Sequence, residues 1–192
     1  MKFPALTTAQ IFSSLNHSEV AEILRGGGIG IVRTDTIYGI IARAADEKAV
    51  ERVFASKGRD DQKSPIVLIA RLDQMFDTSP AAEQQLTREV WPGKITVAHP
   101  AKNAPPWLTR GNSEFGYRMP DVAELRALIE AVGPLIAPSA NLQGQSPALD
   151  IVEAINYFGD QVDFYVDGGR VTDNTPSQLL RINERGEIER LR

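Results

Sequence analysis

Short apolar runs alternate along this chain with segments of helical periodicity, and few architectures accommodate that order. "IGIV" (29–32), "PIVLIA" (65–70) and "PLIA" (134–137) are too short for helices and carry little polar alternation, the pattern of strands covered on both faces. "HSEVAEILR" (17–25), "DEKAVERVFASK" (46–57), "VAELRALIEAVG" (122–133) and "ALDIVEAINYFG" (148–159) instead repeat apolar residues at helical spacing. Ser18, Asp46 and Asp150 stand where helices start, and Gly26-Gly27-Gly28 and Gly133 where they stop. Strand, polar turn and helix in succession predict an α/β fold.

The remaining segments fit the same scheme. "TDTIYGI" (34–40) reads as a polar turn, residues 71–90 as helix broken at Ser79-Pro80, and "WPGKITVAHP" and "FGYRMP" as strands. "VDFYVDGG", "SQLLRI" and "EIERLR" close the chain as strands, the last two a hairpin around Asn183–Gly186. No internal repeat or linker interrupts residues 1–192, so a single domain is expected.

Composition narrows the chemistry. There is no cysteine, which excludes disulfides, thiolate metal sites and a cysteine nucleophile. The N-terminus lacks a secretory apolar core, and no run approaches the roughly 20 residues that span a bilayer, so the reading is cytoplasmic with no membrane. A net charge of -4 argues against a broad nucleic-acid-binding coat, and any anion site must be local. No metal-ligand cluster is apparent; His17 and His99 have no companion at ligand spacing.

Three polar clusters fall at strand ends, where open α/β sheets bind ligands: "RTDTIYG" (33–39), "KGRDDQK" (57–63) and "APSANLQGQSP" (137–147). Lys57 and Arg59 can turn toward one anion, with Gly58 allowing close backbone approach; they equally fit a solvated helix end that complements the dipole. Ser139 and Asn141 offer a hydroxyl and an amide to a ligand or to their own turn. Thr34 and Thr36 are site residues or caps. Arg118 interrupts an apolar strand, where a buried guanidinium needs an anionic partner, from a ligand or from a structural salt bridge. Neither a P-loop nor a dinucleotide fingerprint is present.

In order along the chain, "TDTIYGI", "KGR" with a following lysine, "WPGKIT", "YRMP", "APSANLQGQSP", "VDGG" and "PSQLLRI" resemble the YrdC-like family, whose enzymatic members are threonylcarbamoyl-AMP synthases of the TsaC type. The resemblance runs from about Ser18 to the C-terminus. It implies a YrdC-like, twisted, open mixed sheet with flanking helices and a concave, locally basic face. It also implies an L-threonylcarbamoyladenylate synthase, a nucleotidyltransferase that joins L-threonine, bicarbonate or CO2 and ATP, with Mg2+, and releases pyrophosphate. The product would feed downstream threonylcarbamoyl-transfer proteins that modify tRNA, with a direct tRNA contact possible.

The resemblance further implies roles. Lys57 and Arg59 look like the catalytic pair that meets phosphate and the reacting carboxylate. Arg59, Lys63, Ser139, Asn141, Ser146 and Arg190 are similar to ATP-binding residues; Thr36, Arg118 and Ser177 to threonine-binding ones. Thr34 and Tyr38 are expected to line the site. The chain departs from the family at Arg33, Asp60 and Lys94, each where proline is usual, at Ser64-Pro65 and at Gln178. It ends soon after the last motif, so a stand-alone synthase is expected. The alternatives are a non-enzymatic double-stranded RNA or tRNA-binding module, or a paralogue that makes another acyl-adenylate.

Overall fold

In the computed structural model, which describes residues 7–58, 62–78, 80–183 and 185–192, the apolar runs become strands of one open mixed sheet. The strands are β1 (Gln10–Phe12), β2 (Gly30–Arg33), β3 (Tyr38–Arg43), β4 (Val67–Leu68), β5 (Ile95–Pro100), β6 (Glu114–Arg118), β7 (Leu135–Ile136), β8 (Phe164–Val166), β9 (Gln178–Ile182) and β10 (Ile188–Arg190). The helices are α1 (Ser18–Arg25), α2 (Glu47–Ser56), α3 (Ala81–Val90), the single turn α4 (Pro106–Thr109), α5 (Ala123–Val132) and α6 (Ile151–Phe158). Spatial order across the sheet is β1-β8-β2-β3-β7-β4-β6-β5-β9-β10.

Alternation by twos along the central strands sorts their side chains into two buried layers. Ile31, Ile40, Val67, Ile136 and Tyr165 join one layer with Val50 and Val53 of α2 and Ile155 and Phe158 of α6. Val32, Ile41, Leu68, Leu135, Phe164 and Val166 join the other with Val20 and Leu24 of α1 and Leu125, Leu128, Ile129 and Val132 of α5. Because helices cover both faces, these strands are apolar at consecutive positions.

Most expected elements form, with local differences. Asp46 caps α2 by accepting the Ala49 amide, and Asp150 caps α6 by accepting that of Glu153, each at 3.0 Å. Ser18 is the first residue of α1; the cap position is held by His17, which makes no side-chain capping bond. The segment read as a turn at 34–40 contains the start of β3, which pairs antiparallel with β2. Its run "YGIIA" is buried on both faces like the other central strands, and it follows directly on the polar Thr34-Asp35-Thr36 with no break between turn and strand. The last three strands separate: β8 inserts between β1 and β2, whereas β9 runs parallel to β5 and forms the expected hairpin with β10. Of the helix expected over residues 71–90, the part before the break forms only a 3-10 turn at Leu72–Gln74; Ser79 lies outside the described residues, and α3 begins at Ala81.

The histidine without a sequence role is structural. His99 on β5 is 1% exposed, and its Nδ1 lies 2.6 Å from Glu83 Oε2 of α3. Burial, helped by Glu114, pushes the Glu83 carboxyl up to about 7, and burial lowers the His99 imidazole to about 4. A raised carboxyl favours the fold at low pH and loses that contribution as pH climbs; a lowered imidazole does the reverse. The two slopes oppose each other between the ordinary values of 4.5 and 6.5.

Two outcomes are expected. Glu83→Gln leaves the imidazole slope uncompensated, so the variant's stability in urea rises from pH 4.5 to 6.5 more steeply than the parent's. Gly30→Ala places a Cβ 2.3 Å from the Phe164 ring, in register across β2 and β8, and is expected to cost about 1–3 kcal/mol in chemical denaturation.

Candidate active site

Loops at one edge of the sheet build the site. β2 and β7 run in the same direction, each antiparallel to β3, and β4 runs opposite to β7. The loops after β2 and β7 and the loop before β4 therefore emerge together. β3 holds the first two in contact. Ile40 N–H donates to the Pro138 carbonyl at 2.9 Å, and Ala140 N–H to that of Tyr38 at 2.8 Å. Gly39 permits this approach, since a Cβ there would lie 3.3 Å from the Pro138 oxygen.

Lys57 joins α2 to the same loop. It is 1% exposed, and its Nζ donates to the Ser139 carbonyl and, at 3.1 Å each, to the Asn141 carbonyl and Oδ1. Three ammonium hydrogens thus meet three oxygens, as burial of the charge demands. Ser139 Oγ donates to Asn141 Oδ1 at 2.6 Å, and Asn141 Nδ2 donates to the carbonyls of Leu142 and Gln145. Lysine, serine and asparagine, far apart in sequence, form one cluster.

Beside it opens a cleft of about 390 Å3 lined by Thr34, Thr36, Phe54, Lys63, Arg118, Ser139, Asn174, Ser177 and Arg192, among others. That volume is within the roughly 300–1,000 Å3 of small-molecule sites. Three cations and no carboxylate line it among the described residues, so it is locally positive in a chain of net charge -4. Thr34 Oγ1 donates to the Ile37 carbonyl at 2.8 Å and lies 3.0 Å from Thr36 Oγ1. Ser177 is 3% exposed; its Oγ lies 2.8 Å from Thr96 Oγ1 and accepts from Arg192 NH2 at 3.3 Å.

Arg118 is 4% exposed, and its NH2 lies 3.1 Å from Asp35 Oδ1. Burial draws this guanidinium below the ordinary arginine value; Asp35 opposes the shift and the charge of Arg192 adds to it. Burial also lowers Arg192. Two desolvated like charges facing one cleft favour an anion between them.

Other expected site residues lie elsewhere. Tyr38 is buried and does not line the cleft: its hydroxyl donates to the Gly169 carbonyl at 2.9 Å and accepts the Gly168 amide at 3.1 Å, anchoring the "VDGG" loop. Ser146 is exposed on the loop whose next residue, Pro147, reaches the cleft. Arg190 is in exposed β10, where its Nε donates to the Arg192 carbonyl. Arg59 and Asp60 lie outside the described residues. Sequence reasoning missed Arg192, which reaches the cleft two residues after Arg190 in the same "RLR" run, and Phe54, which periodicity assigned only to the core.

A second cavity, of about 630 Å3, lies beyond the Thr34 wall and is lined by Arg33, Asp35, Lys94, Asp121, Glu124 and Asp167. It is the larger of the two, yet of the expected ligand contacts only Thr34 lines it. Thr34, Thr36, Lys63, Arg118, Ser139 and Ser177 instead converge on the smaller cleft.

Fold and cleft define an open α/β protein with an anion-receptive site at its strand ends. The family model for the Sua5/YciO/YrdC domain, described as "Telomere recombination", matches residues 22–192, and the chain belongs to this family. It is 32% identical over 162 residues to the threonylcarbamoyl-AMP synthase of Marinobacter nauticus, covering 81% of this chain and 85% of the relative. The structure of the H234A/Y235A variant of Pyrococcus abyssi Sua5 superposes with a TM-score of 0.88 at 28% identity, over 96% of this chain and 57% of that one. P. abyssi Sua5 complexed with L-threonine superposes with a TM-score of 0.83 at 30% identity, over 91% and 52%. This chain thus spans little more than half of the Pyrococcus protein.

The Lys57 cluster yields a direct test. Lys57→Met removes the donor from three oxygens and is expected to cost about 1–3 kcal/mol. Faster hydrogen exchange at the Ala140 and Ala148 amides, which tie this loop to β3 and to itself, would locate the effect.

Proposed function

We propose that this protein is an L-threonylcarbamoyladenylate synthase, a nucleotidyltransferase in tRNA threonylcarbamoyladenosine formation that uses L-threonine, bicarbonate or CO2, and ATP. The observation that carries the reading is the convergence of Thr36, Lys63, Arg118, Ser139 and Ser177, from five separate segments, on one positive cleft. Relatives named threonylcarbamoyl-AMP synthase, and the L-threonine complex of a 30%-identical Sua5, support it.

The chemistry suits such a cleft. Carboxylation of the threonine amine gives a carbamate, whose oxyanion attacks the α-phosphorus of ATP and expels pyrophosphate. Two anions must approach each other, so fixed cations and orientation contribute more than a strong base or a protein nucleophile. In this assignment Arg118 holds the amino-acid carboxylate, with Thr36 and Ser177 beside it. Lys63, Ser139 and Arg192 face the nucleotide, Arg192 taking the place expected of Arg190. Lys57 shapes the Ser139–Asn141 loop and presents its charge near the phosphates; Arg59 completes the pair.

Among the described residues no three His, Cys, Asp or Glu side chains form a metal cluster. We assign Mg2+ to the nucleotide's own phosphates, where it would neutralise charge on the departing pyrophosphate. No helix among the described residues is long and apolar enough to cross a membrane. A cytoplasmic enzyme that hands its adenylate to tRNA-modifying proteins, with tRNA contact confined to the cleft's positive rim, completes the proposal.

The test is pyrophosphate release from ATP with Mg2+ and bicarbonate, with and without L-threonine. Threonine-dependent release, with the threonylcarbamoyl adduct of AMP seen by mass spectrometry, is expected. ATP binding without threonine dependence would replace the reading with another acyl-adenylate. RNA binding that falls steeply with salt and ignores threonine would replace it with an RNA-binding module. Arg118→Gln should raise the KM for threonine roughly tenfold or more, the worth of charge-assisted hydrogen bonds, while the KM for ATP changes by less than about twofold.

A further inference from the structure

The segment Thr34-Asp35-Thr36 turns its residues in opposite directions. The two threonines line the reaction cleft, and Asp35 faces the second cavity. Asp35 has no assigned ligand, yet its side chain is only 3% exposed. Its Oδ1 lies 3.1 Å from Arg118 NH2, an ion pair without hydrogen-bond geometry, and its Oδ2 accepts the Asp121 amide at 3.3 Å, at the entry to α5. The ion pair therefore forms part of the partition between the two cavities, with the carboxylate behind and the guanidinium in front.

We propose that Asp35 is a positioning residue: it grips one end of the Arg118 guanidinium from the second cavity and so aims the remaining N–H groups at the amino-acid carboxylate in the cleft. The inference rests on the reading of Arg118 as the carboxylate-binding residue. A guanidinium carries its five donors in one rigid plane, so fixing one nitrogen fixes the direction of the others. Arg118 Nε is buried without a hydrogen-bond partner among the described residues, an idle donor that a bound carboxylate would engage. Arg192 lines the same cleft and its charge opposes that of Arg118, an opposition that the negative charge of Asp35 offsets. The Asp121 amide holds the carboxylate in its turn, so the aim of Arg118 is transmitted from the start of α5 through a fixed hydrogen bond.

Calorimetric titration of the full chain with L-threonine, and separately with ATP, tests this. Asp35→Asn keeps the shape and removes the charge; it is expected to weaken threonine binding roughly tenfold or more, the size of the coupling between members of one ion-paired network, and ATP binding by less than about twofold. In an Arg118→Gln background the same substitution should change threonine affinity no further, because the aimed group is already gone. Asp35→Glu moves the anchor by one methylene and should lower threonine affinity alone, to a smaller extent. It carries the test if Asp35→Asn does not fold. Unchanged threonine affinity in a folded variant, a parallel fall in ATP affinity, or additive losses in the double variant would overturn the proposal, since a carboxylate that only supports the fold acts in those ways. If the parent protein fails to bind threonine at all, the functional reading falls and this proposal with it. If it binds threonine and Asp35→Asn binds equally well, only this proposal falls.

Discussion

Covering a sheet on both faces dictates where polar chemistry can reside. Residues such as Ile31 and Val32, or Leu135 and Ile136, are consecutive and both buried, one in each apolar layer. A strand of this kind has no face to offer a ligand, and an unpaired polar group within it would pay a desolvation penalty. Hydroxyls, amides and ammonium groups are displaced to the loops where strands end. The polar side chains buried inside strands have partners of their own: Arg118 has Asp35 as a buried counter-charge, His99 has Glu83 and Thr96 has Ser177.

The same constraint explains the form of the site. Buried cations need oxygen partners, and here those partners are the site's own loops. Lys57 is satisfied by the Ser139–Asn141 segment, Arg118 pairs with Asp35 through one nitrogen and keeps its Nε open, and the more exposed Arg192 donates to Ser177. The Lys57 and Arg118 contacts each join segments more than eighty residues apart, so the cleft takes shape only when those segments pack together. The result is a positive concavity within a negatively charged chain. Such a site attracts phosphate and carboxylate at short range without making the whole surface adhere to nucleic acid.

The departures from the family pattern fall mostly outside this cleft. Arg33 and Lys94 line the second cavity; Arg33 donates to the Gly168 carbonyl at 2.7 Å, and Lys94 lies 3.8 Å from Asp173. Gln178 opens β9, exposed and directly after Ser177. Ser64 and Pro65 do line the cleft, and Ser64 Oγ donates to the Thr109 carbonyl at 2.7 Å. None of these substitutions among the described residues places a carboxylate in the cleft; Asp60, the remaining departure, lies outside the described residues.

Periodicity and punctuation are local properties, and local properties were legible in the sequence. α2 and α6, with their Asp46 and Asp150 caps, the stop of α5 at Gly133, and the β9–β10 hairpin follow from neighbouring residues alone. So does the placement of Lys57, Ser139 and Asn141 at strand or helix ends. β3 was hidden because its apolar run follows directly on Thr34-Asp35-Thr36, with no break to separate the strand from the turn. The separation of β8 from β9 was hidden because strand order depends on partners far along the chain. Tyr38 and Arg190 were expected at the cleft from their motifs, but side-chain direction is settled by packing against the 167–169 loop and at the sheet edge. Arg192 and Asp35 became visible only once folding set Arg192 beside Ser177 and Asp35 beside Arg118 and Asp121. Sequence determined the elements and the chemical types available, because these rest on spacing along the chain. The tertiary structure alone decided which of those groups face one ligand and which brace the others, because that rests on contacts between segments the sequence keeps apart.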